Sequence, residues 1–159
     1  FEWDVGHDDQ GRILGVEVPR VAILSAVETV NPSIPSTLDA AALCKMADRR
    51  QITGGILDGP LAFDNAISMQ AAQIKDINSP VAGQADILAV PDLESGNMLA
   101  KQLDYLAGAS SSGIVLGARV PIALTSRAEG PQARVASALL SRLVAHHRSR
   151  TAASESSVG

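Results

Sequence analysis

Short aliphatic runs that alternate with longer helical patterns restrict the fold of this chain more than any other feature. Residues 21–26 (VAILSA) are too short for a helix and apolar on both alternating faces, which is typical of a strand covered by helices on both sides. Glycine, proline, asparagine or aspartate stands at each junction between elements. The alternation predicts βαβ units, and therefore an α/β fold with a mostly parallel sheet and helices on both faces.

The other predicted elements show the same alternation of strands and helices. Further strands are predicted at residues 54–57, which end at an Asp-Gly-Pro turn, and at 85–90, 113–117 and 120–124. Ser36 and Asp39 have capping-box spacing, so the first helix is expected to begin there. Helices are also predicted at residues 63–75, from about 94 to 107, and from 131 to 146 or 147.

The length of 159 residues suits one domain or one half of a larger two-domain fold. Hydrophobic residues make up 46% of the chain but aromatic residues only 3%, so the core must be built from Ala, Val, Ile and Leu. We expect an α/β domain over residues 14–147, between an irregular segment at 1–13 and a flexible Ser/Ala-rich tail at 148–159.

The net charge and the cysteine content limit which binding partners and which cellular compartment are expected. A net charge of −4 gives no electrostatic basis for binding nucleic acid. No apolar run approaches the ~18 residues of a membrane span, and the acidic first residues (FEWD) are unlike a signal peptide. The single cysteine, Cys44, cannot form an internal disulfide. We therefore expect a cytoplasmic protein that binds neither nucleic acid nor membrane.

Polar side chains follow the predicted strands, and open parallel sheets bind ligands outside the carboxyl ends of their strands. The residues at these positions are Glu28, Asn31, Asp58, Asp92, Glu94, Asn97, Ser126 and Arg127. Local hydrogen bonding in turns and caps favours Asp, Asn and Ser at such junctions. For any one of these residues, a turn or cap is therefore the simpler interpretation.

The pair Ser126-Arg127 is less readily explained as a turn, because arginine is not a turn residue. A guanidinium group matches two oxygens of a phosphate or carboxylate, and the Ser126 hydroxyl with nearby free amides could bind an oxyanion. The alternative is a surface ion pair between Arg127 and Glu129. Residue types and spacing leave both interpretations open.

Three other segments carry weaker signals. Residues 108–113 (GASSSG) lack the Walker lysine and the glycine spacing of a dinucleotide site, and are interpreted as a connection. Cys44 lies among Ala, Leu and Met of a predicted helix and is interpreted as a packing residue. His146 and His147 have no partners at ligand spacing, so no metal site is predicted.

Several runs of the sequence resemble the phosphate acetyl/butyryltransferase family, most nearly the modules fused behind an enoyl-CoA hydratase-like domain in some bacteria. The runs are residues 21–31 (VAILSAVETVN), 54–66 (GGILDGPLAFDNA), 79–88 (SPVAGQADIL), 90–99 (VPDLESGNML) and 116–128 (LGARVPIALTSRA). The resemblance as a whole covers about residues 14–146.

The resemblance implies reversible transfer of an acetyl or butyryl group between phosphate and coenzyme A (CoA). The partners would then be CoA, acyl-CoA, acyl phosphate and inorganic phosphate, with CoA as a substrate and no cofactor or metal. It also implies a two-domain fold like that of isocitrate and isopropylmalate dehydrogenases, a homodimer, and an active site in the interdomain cleft. This chain resembles the second domain only.

The resemblance also assigns residues to roles. Ser126 would hydrogen-bond the reacting carbonyl or thiol and Arg127 would hold the phosphate. The residues that would line or support the cleft are Asp58, Asp64, Asp92 and Asn97. Acetyl-branch relatives carry an aspartate soon after the Ser-Arg pair as the proposed base for the thiol. This chain has Gln132-Ala133 there, so the base is unassigned, and Glu129 is the nearest carboxylate.

Family members are about twice this size, because two α/β domains of ordinary dimensions are needed to form the cleft. We therefore expect transfer to need a missing N-terminal domain. The alternative is a non-catalytic, truncated α/β module that dimerises or binds CoA only. A decarboxylating dehydrogenase of the same fold is disfavoured, since metal-binding aspartates at helical spacing and a nucleotide loop do not stand out.

Overall fold

A computed structural model describes residues 14–115 and 117–156, and the predicted irregular segment at 1–13 lies outside the described residues. The strands are β1 (Arg20–Leu24), β2 (Ile56–Leu61), β3 (Ile87–Ala89), β4 (Gly113–Val115) and β5 (Ile122–Leu124). The helices are α1 (Pro35–Asp48), α2 (Phe63–Ile67), α3 (Met69–Ile74), α4 (Leu93–Leu106) and α5 (Pro131–Ser156). None of the described helices combines the length and the apolar character needed to cross a membrane.

The first three strands form a parallel sheet in the order β2-β1-β3. Strand β1 is central: Val21 lies opposite Leu57 of β2 and Ile87 of β3. Parallel neighbours need long crossover connections, and here α1 and the α2–α3 segment occupy them. The α/β class and the parallel sheet predicted from the sequence are confirmed.

Helices cover both faces of this sheet, as predicted, and the side chains of β1 show it directly. Successive strand residues point to opposite faces. Ala22 and Leu24 belong to a core cluster with Ala66 of α2 and Ala72 of α3. On the other face, Val21 and Ile23 pack with residues of α1, namely Ala40, Leu43 and Cys44. Because both faces are buried, β1 has to be apolar at every position after Arg20.

The predicted end of the second strand is wrong. Strand β2 continues to Leu61, so Asp58 lies inside the strand, paired with Ala22, and not in a loop beyond it. Pro60 is tolerated because β2 is an edge strand. The register shifts after Ala22, where the backbone of Gly59 comes so close to β1 that a Cβ atom would lie 2.7 Å from the Ile23 carbonyl oxygen. The Asp-Gly-Pro sequence of this irregular edge strand therefore resembles that of a turn.

Two helix predictions also differ from the structure, one in its extent and the other in its N-terminal cap. The helix expected over residues 63–75 breaks at Ser68, whose backbone is extended and whose Oγ accepts the Ala71 N–H at 3.2 Å. Serine is a favoured N-cap, so α3 begins anew there. Helix α1 begins at Pro35 without a side-chain cap. Ser36 is not the cap, and its hydroxyl instead bonds that of Ser25 at 2.8 Å.

Helix α5 runs well beyond its predicted end at His146 or His147. It continues to Ser156, so residues 148–156, expected to be a flexible tail, are helical. The Arg148 guanidinium donates to the Ala118 carbonyl at 2.9 Å, which ties this extension to the segment before β5. Alanine and arginine are strong helix formers, and the Ser/Ala-rich composition was therefore a poor indicator of a helix end.

Strands β4 and β5 do not join the parallel sheet, contrary to the sequence prediction. They pair antiparallel with each other, Ile114 opposite Ala123, because the connection between them is too short for a parallel crossover. Helix α5 packs on this pair. The buried Ser137 of α5 accepts the Gly113 N–H at 3.0 Å and donates to Ala133. The turn after β5 therefore belongs to a separate β4–β5–α5 unit.

A paired Arg20 and Asp86 fix the register of β1 against the segment before β3. The guanidinium Nε and Nη2 donate to the two carboxylate oxygens at 2.9 and 3.1 Å, and the Arg20 N–H donates to Oδ2 at 2.9 Å. The Asp86 N–H donates back to the Arg20 carbonyl at 2.8 Å. The side-chain hydrogen bonds from Arg20 hold the pKa of Asp86 below its usual value.

This pKa shift predicts a measurable pH dependence of stability. A carboxylate with a lowered pKa in the folded state stabilises the fold above its unfolded pKa and loses that contribution as pH falls through the folded value. Asp86→Asn should therefore flatten the decline of the free energy of unfolding between about pH 5 and pH 2, measured by urea titration. Asp39→Asn, at an exposed helix position, should follow the unmodified chain. Equal slopes for all three proteins would contradict the assignment.

Gly83 occupies a position that only glycine fits. Its φ is +78°, and an added Cβ would lie 2.5 Å from the Met69 Cα, while its N–H donates to the Asn65 carbonyl at 2.7 Å. The close approach holds the start of α3 against the segment before β3.

Gly83→Ala should lower the free energy of unfolding by about 2–5 kcal/mol, the sum of a left-handed backbone and a clash. Gly108→Ala is the matched control, since Gly108 has φ +65° with nothing within 4 Å of an added Cβ. It should cost only about 1–2 kcal/mol. Chemical denaturation of both variants checks this, and equal losses would show that the clash contributes nothing.

Candidate functional site

A cavity of about 630 Å³ opens at the carboxyl ends of β1 and β3, and we call it the sheet-edge cavity. Leu24 and Ser25 contribute from the end of β1, Asp92 from the segment after β3, and Leu99 and Leu103 from α4. Apolar side chains dominate the lining, with a few polar groups among them. This is the place where open parallel sheets bind ligands, and the composition is that of a small-molecule site.

Asp92 has a structural role in this cavity wall. Its Oδ1 accepts the Ser95 N–H at 2.7 Å, which caps the start of α4. The hydrogen bond from the Ser95 backbone holds the pKa of Asp92 below its ordinary value. Asp92 thus fulfils the cap interpretation and also borders the sheet-edge cavity. Asn97, further along α4, is exposed and lines neither cavity described here.

Asp64 is drawn into an ion-pair cluster with Lys75, Glu28 and Asn65. The Lys75 Nζ lies 3.1 Å from Asp64 Oδ2 and 3.2 Å from Glu28 Oε2, and the buried Asn65 donates to Glu28 Oε2 at 3.3 Å. The ammonium group lowers the pKa of Asp64, and both carboxylates raise the pKa of Lys75, Asp64 the more strongly. The cluster joins the loop after β1 to α2 and the end of α3, a supporting role for Asp64.

Asp58 and Cys44 lie together on the α1 side of β2. The Asp58 Oδ1 accepts the Gly59 N–H at 2.9 Å, and the Cys44 thiol donates to the Gly59 carbonyl at 3.5 Å. Burial, aided by the negative charge of Asp58, raises the pKa of the Cys44 thiol to about 11. The thiol is therefore protonated near neutral pH and is a packing group rather than a nucleophile.

A second cavity of about 470 Å³ lies at the start of α5, and we call it the helix-start cavity. Lys101, Asp104 and Tyr105 line it from α4, together with the serines at residues 110–112 and residues 128–130 of the turn before α5. The sequence predicts only a connection at residues 108–113, which include these serines. Three adjacent hydroxyls between a helix and a strand were the signal that could have marked them.

Ser126 and Arg127 form the turn that leads into this helix-start cavity. The Ser126 Oγ accepts the Ala128 N–H at 3.4 Å, and the Ser126 carbonyl accepts the Glu129 N–H at 3.2 Å. Arg127 is exposed and makes no hydrogen bond or ion pair with any residue that the structure describes. The alternative surface ion pair with Glu129 is therefore not formed, and the guanidinium is available to an anion.

The predicted site residues do not all gather at one sheet edge. Asp92 borders the sheet-edge cavity, whereas the Ser126-Arg127 turn adjoins the helix-start cavity. The reason is the antiparallel pairing of β5, which removes its carboxyl end from the parallel set. Helix α4 contributes to both cavities. Within residues 14–115 and 117–156, no cluster of three or more His, Cys, Asp or Glu side chains is placed to hold a metal ion.

The architecture is similar to part of a solved phosphotransacylase. The structure of a branched-chain phosphotransacylase from Enterococcus faecalis V583 is similar with a TM-score of 0.79 and 33% identity, covering 89% of this chain and 50% of that one. A phosphate acetyltransferase of Rhizobium meliloti is 66% identical over 135 residues, which are 85% of this chain and 43% of the relative. A phosphate butyryltransferase of Clostridium acetobutylicum is 47% identical over 135 residues, 85% of this chain and 45% of the relative.

Residues 9–141 match the family described as phosphate acetyl/butaryl transferase. The chain belongs to this family, and the resemblance seen in its motifs is confirmed. The matched residues include the whole parallel sheet, α4 and the Ser126-Arg127 turn. The chain spans less than half of the length of the two curated relatives.

The cap made by Asp92 predicts a specific stability effect. Asp92→Ala should lower the melting temperature and the helical circular dichroism signal, because the first turn of α4 loses its side-chain acceptor. Asp92→Ser is the matched control, since serine also caps helices. It should retain most of the melting temperature. If the serine variant loses as much as the alanine variant, Asp92 stabilises the chain by some route other than the cap.

Proposed function

We propose that this chain takes part in reversible acyl transfer from acyl phosphate to CoA, giving acyl-CoA and inorganic phosphate. The observation that carries the proposal is the Ser126-Arg127 turn. It lies within the residues matched by the family, it leads directly into the helix-start cavity, and its guanidinium has no partner in the described part of the chain. Acetyl and butyryl groups are both proposed substrates, since relatives of either kind are similar.

The proposed chemistry follows from what acyl transfer needs. The thiolate sulfur of CoA attacks the carbonyl carbon of the acyl phosphate, a C–S bond forms, and the carbonyl oxygen becomes an oxyanion. The bond from carbon to the phosphate oxygen then breaks, and phosphate leaves with the electron pair. Ser126 would donate a hydrogen bond to the oxyanion, and the Arg127 fork would neutralise the departing phosphate.

We further propose that catalysis needs the remaining length of such a protein. The chain spans only 43% and 45% of the two curated relatives, and a cleft enzyme requires groups from both sides of its cleft. The full protein would be a cytoplasmic homodimer with a two-domain fold like that of isocitrate dehydrogenase, and CoA would be a substrate with no cofactor required. Asp58, Asp64, Asp92 and Asn97 would support the cleft.

The alternative is a module that binds CoA or dimerises without catalysis. The absence of a carboxylate at residues 132 and 133, where acetyl-branch relatives carry the proposed base, favours it. Turnover separates the two functions, whereas binding of CoA alone is compatible with both.

Transfer is tested by mixing acetyl phosphate or butyryl phosphate with CoA and following the loss of free thiol. The chain alone should be inactive. A chimera that adds the unmatched part of the Rhizobium meliloti phosphate acetyltransferase should be active. Arg127→Ala in that chimera should lower kcat/KM by about 10²–10³-fold, because a charged donor to the transferring phosphate is lost.

Arg142→Ala is the control, because Arg142 is an exposed arginine on α5 outside the proposed site. It should leave kcat/KM within about twofold of the unmodified chimera. An inactive chimera would favour the non-catalytic module. An active chimera that is insensitive to Arg127→Ala would remove Arg127 from the reaction.

A further inference from the structure

Glu129 carries a carboxylate oxygen that the described residues leave without a donor. Its Oε2 is buried and accepts no hydrogen bond within the described part of the chain, although the residue lines the helix-start cavity. The backbone N–H of Glu129 is bonded to the Ser126 carbonyl at 3.2 Å. The backbone of Glu129 therefore belongs to the same turn that presents Ser126 and Arg127.

An unsatisfied buried carboxylate oxygen is costly, because it has lost its water and gained no donor. Such groups are rare in native proteins and call for an explanation. A donor that enters the cavity from outside would recover this cost. The orphan oxygen thus indicates that the helix-start cavity is completed by a ligand with a hydrogen to give.

The charged and titratable groups around the cavity define what kind of donor fits. Lys101 and Asp104 line it from α4 with Nζ and Oδ2 3.7 Å apart, Tyr105 lies beside them, and Arg127 precedes Glu129 in the turn. Lys101 already has an acidic partner on its own helix, so Glu129 is the carboxylate in this wall without a described cation. A neutral donor that becomes an anion after giving up its proton suits a cavity that Lys101 lines and that lies beside the turn carrying Arg127.

The geometry points to Glu129 as the catalytic general base that takes the proton of the CoA thiol, an inference that rests on the proposed function. In this step the S–H bond breaks, the proton passes to the Glu129 carboxylate, and the sulfur keeps the electron pair as the attacking thiolate. When acyl-CoA and phosphate have formed, the proton returns to solvent or phosphate. Gln132 and Ala133 cannot accept it, so Glu129 takes the place of the base that the sequence left unassigned.

The test compares Glu129→Gln with Glu129→Asp and with the control Asp39→Asn, which removes an exposed carboxylate of α1. In the active chimera, the glutamine variant should lose about 10²-fold or more in kcat/KM near pH 6.5. The loss should shrink to several-fold above about pH 9, where a free thiol ionises by itself. Glu129→Asp should retain part of the activity with the original pH profile. A loss that is the same at every pH would indicate a structural role and overturn the inference.

A binding measurement on the 159-residue chain itself needs no turnover. Calorimetry should show that the unmodified chain binds CoA about tenfold more tightly than desulfo-CoA, which lacks the thiol. Glu129→Gln should bind both equally. A preference that survives in Glu129→Gln, or no binding of CoA at all, would overturn the assignment of the thiol site to Glu129. Failure of acyl transfer in the chimera would instead count against the proposed function.

Discussion

The burial of β1 on both faces is the constraint on which the rest of the structure depends. After Arg20, this strand is flanked by β2 and β3 and covered by α1 on one side and α2–α3 on the other, so no side chain is exposed that could be polar. Val21, Ala22, Ile23 and Leu24 are all buried for this reason. Their alternation divides the core into two clusters. Because β1 ends where these clusters end, the first polar residue after it, Ser25, lies at the sheet edge and borders the sheet-edge cavity.

The local sequence pattern was sufficient to predict those helices and strands whose own side chains define them. The apolar run of β1, the apolar spacing of α4 and the proline that begins α5 all predicted elements that the structure contains. Pairing partners were not predictable, because periodicity describes one segment at a time. Strand β5 reads like any other strand, yet its short connection from β4 makes it antiparallel. Strand β2 continues through Asp58, Gly59 and Pro60 because an edge strand tolerates residues that otherwise mark turns.

The residues of the candidate site also fall into those that the sequence could identify and those that it could not. Arg127 and Asp92 were identifiable because an arginine at a strand end and an aspartate before a helix have local meanings. Lys75 and Lys101 were not identifiable, since their importance comes from long-range neighbours. Glu28 is distant in sequence from Lys75, and Lys101 lines the same cavity as residues 110–112 and Glu129 only through folding. The orphan oxygen of Glu129 is a purely three-dimensional property. No spacing rule distinguishes it from the exposed acidic residues of the same chain.

Helix α4 lies between the two cavities and lines both of them. It has no fully buried residue, and Leu93 and Leu106 at its two ends are 86% and 84% exposed, whereas Leu99 packs against the core cluster. Any ligand that moves α4 from one side changes the wall of the other cavity at the same time. If ligands displaced α4 in this way, occupancy of the two cavities would be thermodynamically linked, with the same coupling free energy in either direction.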